Sequence, residues 1–547
     1  MDGRLLIDTH RIETAQKIQS LNPANLEVIG EACLASSEEC REAVQAARRA
    51  FPAWREFPLA EKKKLFQRAK GVLLRRSREV GELITREKGS PYAESLSVEV
   101  FSTLEALDYY SKNLDKVVGP IKAGHHVAFL LHKKSAFRFQ PLGPTLIISP
   151  WNFPFVIPFF DTLSALVAGN TVILRPSTST PLAALLVGEI LVEAGLPPGV
   201  LNIVNCRVPQ AEEMITNPAV QTVMFTGSVP IGKKIMELAS RNLTNLTLEL
   251  GGKDPMIVLK DADLDKASRG AVWAAFMNAG QSCGSVERVY VAKEIADEFT
   301  KRVLALTQEL KVGNPLEPGT DMGPMANPGQ LKVVEEHIQD AEAKGARLLC
   351  GGRRMTDLAG YFIQPAVLTQ VDHSMKIMTE ETFGPTLPIM TFCGLEEALA
   401  LANDSPYGLT ASVWTTDKKS AVWMADRLEA GTVTMNDHMI TFVEPKAIWG
   451  GIKQTGLGRS HGPYGLHDLV NIKYVCHDFT RKKTQLWWFP YDKDLAQFLE
   501  KSLTYFHHDR LAKKAQALLA ILPQWSRIWK GSPVFNFVKS FPRLFKK

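Results

Sequence analysis

Residues 145–174 read TLIISPWNFPFVIPFFDTLSALVAGNTVIL, and the fold class turns on how that stretch is parsed. Taken whole, Leu146 to Val167 is apolar enough to raise a membrane span. Pro150, Pro154, Pro158, Asn152 and Asp161 interrupt it, so a spanning helix is not expected. Parsed in pieces, it gives a short apolar run (TLIIS, 145–149), a proline-flanked loop, and a second run at 171–174 (TVIL). TVMFT at 222–226 and MIVL at 256–259 repeat the pattern, with helical segments between. Strands that alternate with helices over this distance imply a parallel sheet covered on both faces. The alternation resumes near residue 285 with VYVA, helices near 294–310 and 329–344, and strands near 363, 388, 411 and 432. The expected class is α/β, in two such domains.

Upstream, Ser36 and Glu39 form a capping box for a helix carrying Cys40, Val44, Ala47 and Phe51, which Pro52 is expected to stop. A second helical pattern runs from Leu65 to Ile84 and ends before Gly89.

At 547 residues, with 45% apolar and 22% charged, the chain is of ordinary globular composition, which excludes disordered, collagen-like and disulfide-stapled classes. Seven scattered cysteines without a C-x-x-C pair argue against structural zinc and for a reducing, cytoplasmic setting; no metal is expected. The first residues, MDGRLLIDTHRIE, lack an export signal, so the mature chain is expected to start there. The net charge of +6 is unevenly placed. Residues 486–547 carry eleven Lys and Arg against four Asp and Glu, so the body is close to neutral and the tail is basic.

Cys283 follows Asn278-Ala279-Gly280, where the helical run Ala267, Ala271, Ala274, Met277 must end, so its thiol is offered from a loop. A cysteine taken alone is more often a small buried hydrophobe. Glu249 stands 34 residues earlier at a strand end, before two glycines, and Asn152 sits in the rigid loop SPWNFPF. The turn Gly227-Ser228, with Pro230 at the first helical turn, leaves N–H groups free for a phosphate without being a G-x-G-x-x-G.

SPWNFPF (149–155), RPST (175–178), FTGSVPIG (225–232), ELGGK (249–253), GQSCGSVER (280–288), EETFGP (380–385) and GGIKQTGLGR (450–459) occur in this order. Together they resemble the aldehyde dehydrogenase superfamily over roughly residues 20–480. The resemblance implies NAD(P)-dependent oxidation of an aldehyde to a carboxylic acid through a cysteine thiohemiacetal and thioester. In it Cys283 is the nucleophile, Glu249 the general base, and Asn152, with the Cys283 N–H, the oxyanion donor. Glu249 would activate the thiol or, as the favoured role, the deacylating water, so a free acid rather than an acyl-coenzyme A is the expected product. Trp151, Arg175, Ser177, Thr178, Gly227 and Ser228 would contact the cofactor, and Glu381 and Phe383 would hold its nicotinamide end. Family members usually carry Lys-Pro-Ser-Glu where this chain has Arg175-Pro176-Ser177-Thr178. Losing that glutamate, which accepts from the adenosine ribose, beside an arginine predicts that NADP serves at least as well as NAD.

The implied architecture is a Rossmann-like cofactor domain (1–120 and 142–251) and an α/β catalytic domain (252–452). A small β oligomerisation element (121–141 and 466–478) and a helical, amphipathic basic tail (486–547) complete it. The hairpin and the segment VNIKYV (470–475) imply a homodimer or homotetramer. In the tail a helix carrying Leu495 to Leu522 is expected to end at Pro523, and residues 523–547 interleave aromatics with six Lys and Arg and no acid. That composition suits peripheral contact with an anionic membrane surface better than docking on protein or nucleic acid; no nucleic acid partner is expected. Apolar aldehydes would then be attractive substrates. The string GQSCGSVER also fits a succinate-semialdehyde dehydrogenase-like enzyme, which would need a basic residue in the substrate tunnel. A catalytically idle scaffold is disfavoured by the intact Cys283, Glu249 and Asn152. Phe159, Phe160, Phe276 and Phe442 are candidate tunnel walls.

Overall fold

The computed structural model describes residues 2–127, 130–480, 485, 487–489 and 491–528, with side chains to Pro523. It separates into two compact units, Met1–Val118 with Gln140–Asn471, and Gly119–Phe139 with the described residues from Ile472 onward.

Among the described residues the larger unit holds two large sheets and a separate antiparallel pair, Lys17–Leu21 with Val28–Cys33. In the first, five parallel strands lie in the order Asn245–Glu249, Thr222–Thr226, Thr145–Ile148, Val172–Arg175, Leu201–Ile203. Leu5–Ile7 with His10–Ile12 and the short Gly456–Leu457 close its two edges antiparallel. The chain leaves Thr145–Ile148 toward one edge and returns to its other side at Thr222–Thr226. A parallel sheet with such a reversal opens a crevice outside the carboxyl ends of the two strands. SPWNFPF and Gly227-Ser228 follow those two ends. The apolar stretch that raised a membrane span is resolved into the strand, the loop and the helix Val156–Ala168, which is buried along its whole length.

The second sheet has the order Arg347–Cys350, Ala366–Thr369, Thr386–Phe392, Val286–Ala292, Asp254–Val258, Thr410–Trp414, Thr432–Met435, parallel except for its first strand. The strand expected near 363 is displaced to Ala366–Thr369, and Ile363 makes only an isolated bridge to Arg354.

Pro52 does not stop the first helix, which runs Ser37–Arg55 from its capping box at Ser36 and Glu39. A proline this close to a C-terminus removes a single ladder bond, and the last turn buries Trp54 to 1% exposure, which offsets that loss. Leu59–Lys88 ends on Gly89 as expected.

In the smaller unit Lys134–Pro141 lies between Ile121–Ala123 and Val470–His477. The single tail helix expected from the sequence is two, Lys493–His507 and Leu511–Ile528. Extended backbone at His508 breaks the run, with the Arg510 N–H donating to His508 Nδ1 at 3.0 Å. The second helix continues through Pro523, and the two pack together with Phe498, Ala517 and Ile521 buried. Most of the aromatic, basic stretch 523–547 lies outside the described residues. No helix among the described residues is long and apolar enough to cross a membrane.

Candidate active site

The loop that bears Cys283 is fixed by strain and by hydrogen bonds. Helix Leu264–Phe276 ends in three successive left-handed residues, Asn278 (φ 54°), Ala279 (φ 53°) and Gly280 (φ 71°). Such backbone costs about 1–3 kcal/mol per non-glycine residue and persists only where the surroundings enforce it. Gly280 cannot be larger, because a Cβ there would stand 2.2 Å from the Gly384 carbonyl oxygen. The Asn278 N–H donates to Glu94 at 3.0 Å, Gln281 Nε2 donates to the Asn278 carbonyl at 2.9 Å, and Gln281 Oε1 accepts the Ala326 N–H at 2.9 Å.

Asn152 is buried against this loop. Its Nδ2 donates to the Gln281 carbonyl at 3.1 Å, and its own carbonyl accepts from Asn278 Nδ2 at 3.1 Å. One of the two amide hydrogens is thus engaged and the other is available. The loop is held from behind by Glu99, whose Oε2 accepts the N–H groups of Phe155 and Val156 at 2.9 and 3.1 Å. The other oxygen of Glu99 pairs with buried Lys88 at 2.8 Å.

Cys283 is half-buried at the wall of a cavity of about 590 Å3. Burial, then the charges of Asp254, Glu381 and Glu249, push its thiol above its ordinary range, opposed by the Gly284 N–H. Glu249 ends its strand with Oε1 accepting the Ser460 N–H at 3.2 Å and Oε2 buried without a partner. Burial first, and Asp161 second, push its carboxyl up to about 8. Gly450 (φ 134°) leaves room for it, since a Cβ there would lie 2.8 Å from Oε1.

Trp151 and Phe383 meet edge to face, with centroids 5.5 Å apart. Phe383 is itself left-handed (φ 52°) and is held so by Glu287, whose two oxygens accept the N–H groups of Thr382 at 2.7 Å and Phe383 at 2.9 Å. Glu287 also pairs with buried Lys253 at 2.6 Å, and Lys253 Nζ reaches Thr382 Oγ1 at 3.1 Å. Glu381 accepts the Gly252 N–H at 2.8 Å, and burial followed by the Glu287 charge pushes it up to about 8. One buried ion pair therefore ties ELGGK, GQSCGSVER and EETFGP together.

On the first sheet, Ser228 precedes helix Val229–Ala239 without a side-chain cap, leaving the first N–H groups of the helix free for an anion. Two strands away, beyond Thr145–Ile148, Arg175 donates to the Cys206 carbonyl at 2.8 Å while its Nε is buried without a partner, and Ser177 Oγ accepts the Ser179 N–H. Thr178 is half-buried beside them. An uncapped helix and an orphaned guanidinium nitrogen fit a dinucleotide's phosphates. These residues sit at the ends of two strands that flank Thr145–Ile148, apart from the Cys283 loop.

Of the four expected tunnel phenylalanines only Phe442 lines the cavity; Phe159, Phe160 and Phe276 are core. The walls come instead from Phe153, Ile157, Met277, Met439 and Trp449. Sequence reasoning also missed Lys253, Glu287, Glu99 and Gln281. The available signal was charge inside a mainly apolar strand, as at Glu287 and Arg288 in VERVYVA.

A profile of the aldehyde dehydrogenase family matches residues 11–475. Succinate-semialdehyde dehydrogenase [NADP(+)] GabD of Escherichia coli (strain K12) is 36% identical over 84% of this chain and 94% of its own. Glutarate-semialdehyde dehydrogenase of Pseudomonas putida is 36% identical over 85% and 95%. The solved NAD+ complex of aldehyde dehydrogenase from Bacillus cereus superposes with a TM-score of 0.83 at 33% identity, covering 88% of this chain and 97% of that one.

Proposed function

The chain belongs to the aldehyde dehydrogenase family, a family of NAD(P)-dependent oxidoreductases, and from that premise we propose that it oxidises an apolar aldehyde to its carboxylic acid through a thioester on Cys283. The observation that supports this reading most is Cys283 at the wall of an apolar cavity, on a loop whose Gln281 carbonyl accepts from Asn152, and near enough to Glu249, which keeps one carboxyl oxygen unpartnered, to feel its charge.

Bound NAD(P) supplies the hydride acceptor. Trp151, Phe383 and Glu381 would hold its nicotinamide end, Gly227 and Ser228 its pyrophosphate, and Arg175, Ser177 and Thr178 its adenosine end. The Cys283 thiol gives its proton to solvent, its sulfur bonds to the carbonyl carbon, and the carbonyl double bond opens to an oxyanion; the thiol regains a proton when the carbon–sulfur bond later breaks. The free Asn152 amide hydrogen and the Cys283 N–H receive the oxyanion, a contribution on the order of 3 kcal/mol for one such donor. Loss of hydride from that carbon leaves the thioester. Glu249 Oε2 then takes a proton from the water that attacks it, the carbon–sulfur bond breaks, and the acid departs. Aldehyde, water and oxidised cofactor thereby give acid, reduced cofactor and one proton. In this reading residues 1–120 and 142–251 bind cofactor and 252–452 carry the nucleophile.

With no carboxylate at Thr178 and Arg175 beside it, kcat/KM with NADP is expected to equal or exceed that with NAD. Steady-state kinetics with both cofactors tests this, and a preference for NAD of about a hundredfold would contradict it.

Oligomerisation through the edges of the three-stranded sheet, where Ile121, Ile472 and Tyr474 are exposed, is part of the same proposal, as is a cytoplasmic setting. So is peripheral membrane contact by the tail, supported by exposed Trp488, Phe489, Leu503, Leu511 and Leu519 beside a cationic sequence. Full-length protein is expected to float with anionic vesicles and a chain truncated after Lys483 to stay behind. Equal partition of the two would remove the membrane contact.

A further inference from the structure

We infer that the cavity admits neutral aldehydes and rejects aldehydes that carry a carboxylate, with Glu105 and Glu444 as specificity-determining residues. This rests on the oxidation proposed above and narrows its substrate. The cavity has a buried end and an open one. Cys283, Phe153, Met277 and Trp449 form the buried end, while Phe101, Trp273 and Ile440 are about half exposed and mark the mouth. No Lys, Arg or His is among the described residues that line it. Its charged residues are Glu105 and Glu444, both exposed and so at the mouth.

Neither glutamate has a cationic partner among the described residues. Glu444 accepts the backbone N–H of Lys446 at 3.0 Å, but the Lys446 ammonium forms no ion pair with it. The charge of Glu444 is felt nearby, where it adds to burial in raising the Tyr109 phenol.

A short aldehyde with a terminal carboxylate would bring that charge among Phe153, Ile157 and Met277, stripped of water and without a counter-ion. A longer one would bring it back to the mouth, against two like charges. An alkyl chain meets neither obstacle. The volume suffices: a cavity of about 150 Å3 holds one benzene, and this one is about four times larger. By name, two relatives at 36% identity act on semialdehydes of dicarboxylic acids, and the absence of a lining cation sets this chain's cavity against that class.

The test compares kcat/KM for pentanal and glutaric semialdehyde, which share a five-carbon chain and differ in the terminal carboxylate. It uses the full-length enzyme and the E105Q/E444Q double variant, at low and high salt. Wild type is expected to prefer pentanal by about a hundredfold or more. The double variant is expected to gain about three- to tenfold on glutaric semialdehyde, with pentanal within about twofold and the salt response lost. If wild type oxidises pentanal but favours it by less than about tenfold, the oxidation reading stands and the charge selection falls. A large preference that the double variant leaves untouched, at either salt, removes Glu105 and Glu444 from it. If wild type oxidises neither aldehyde, the oxidation reading fails and takes this inference with it.

Discussion

Replacing Cys283 by alanine is expected to reduce aldehyde oxidation by at least about 10^4-fold in kcat/KM, because Cys283 is the only thiol among the described residues lining the cavity, and the neighbouring Ser282 offers only a weakly nucleophilic hydroxyl that donates to the Met439 sulfur. The folded state should barely notice. Cys283 is half-buried and accepts no structural role in the loop, which is held by Asn278, Gln281 and Glu94. A thermal midpoint close to wild type and unchanged cofactor affinity should accompany the loss. Serine at 283 should fail similarly, since a hydroxyl in the same surroundings is a far weaker nucleophile than a thiolate. Turnover within about tenfold of wild type in the alanine variant would show that the chemistry runs elsewhere.

Glu249→Gln should lower kcat by about 10^2- to 10^4-fold while leaving the first turnover intact. The amide keeps the Ser460 contact but cannot take a proton from water, so the thioester accumulates and reduced cofactor appears in a burst of one equivalent per site. Wild type should show the matching pH dependence. With the Glu249 carboxyl pushed up to about 8, the base form exists above that value and is lost below it. The deacylation rate should therefore climb as pH passes upward through about 8, and the glutamine variant should lack that limb. A variant with no burst and an unchanged pH profile would deny Glu249 the role of base.

Strand and helix periodicity made the two α/β sheets legible, because alternation of short apolar runs with helices depends on local pattern. The catalytic trio was legible only through ordered motifs, since an isolated Glu, Cys or Asn carries no such signal. What escaped was set by distant contacts. Pro52 and Pro523 sit inside helices because burial of Trp54 and of Ile521 offsets the missing hydrogen bond, which no window around the proline contains. Glu287 holds the Phe383 backbone from 96 residues away, and Glu99 holds Val156 from 57. The cavity walls were misplaced for a similar reason: Phe159 and Phe160 lie on a helix buried all round, so composition could not say which face looks onto the thiol.

The most direct test of the account is mass spectrometry of the E249Q variant, quenched after a single turnover of pentanal with NADP and digested. The account predicts a pentanoyl group on the peptide containing Cys283 and on no other, in proportion to the reduced cofactor formed. Reduced cofactor released while Cys283 stays unmodified would contradict it.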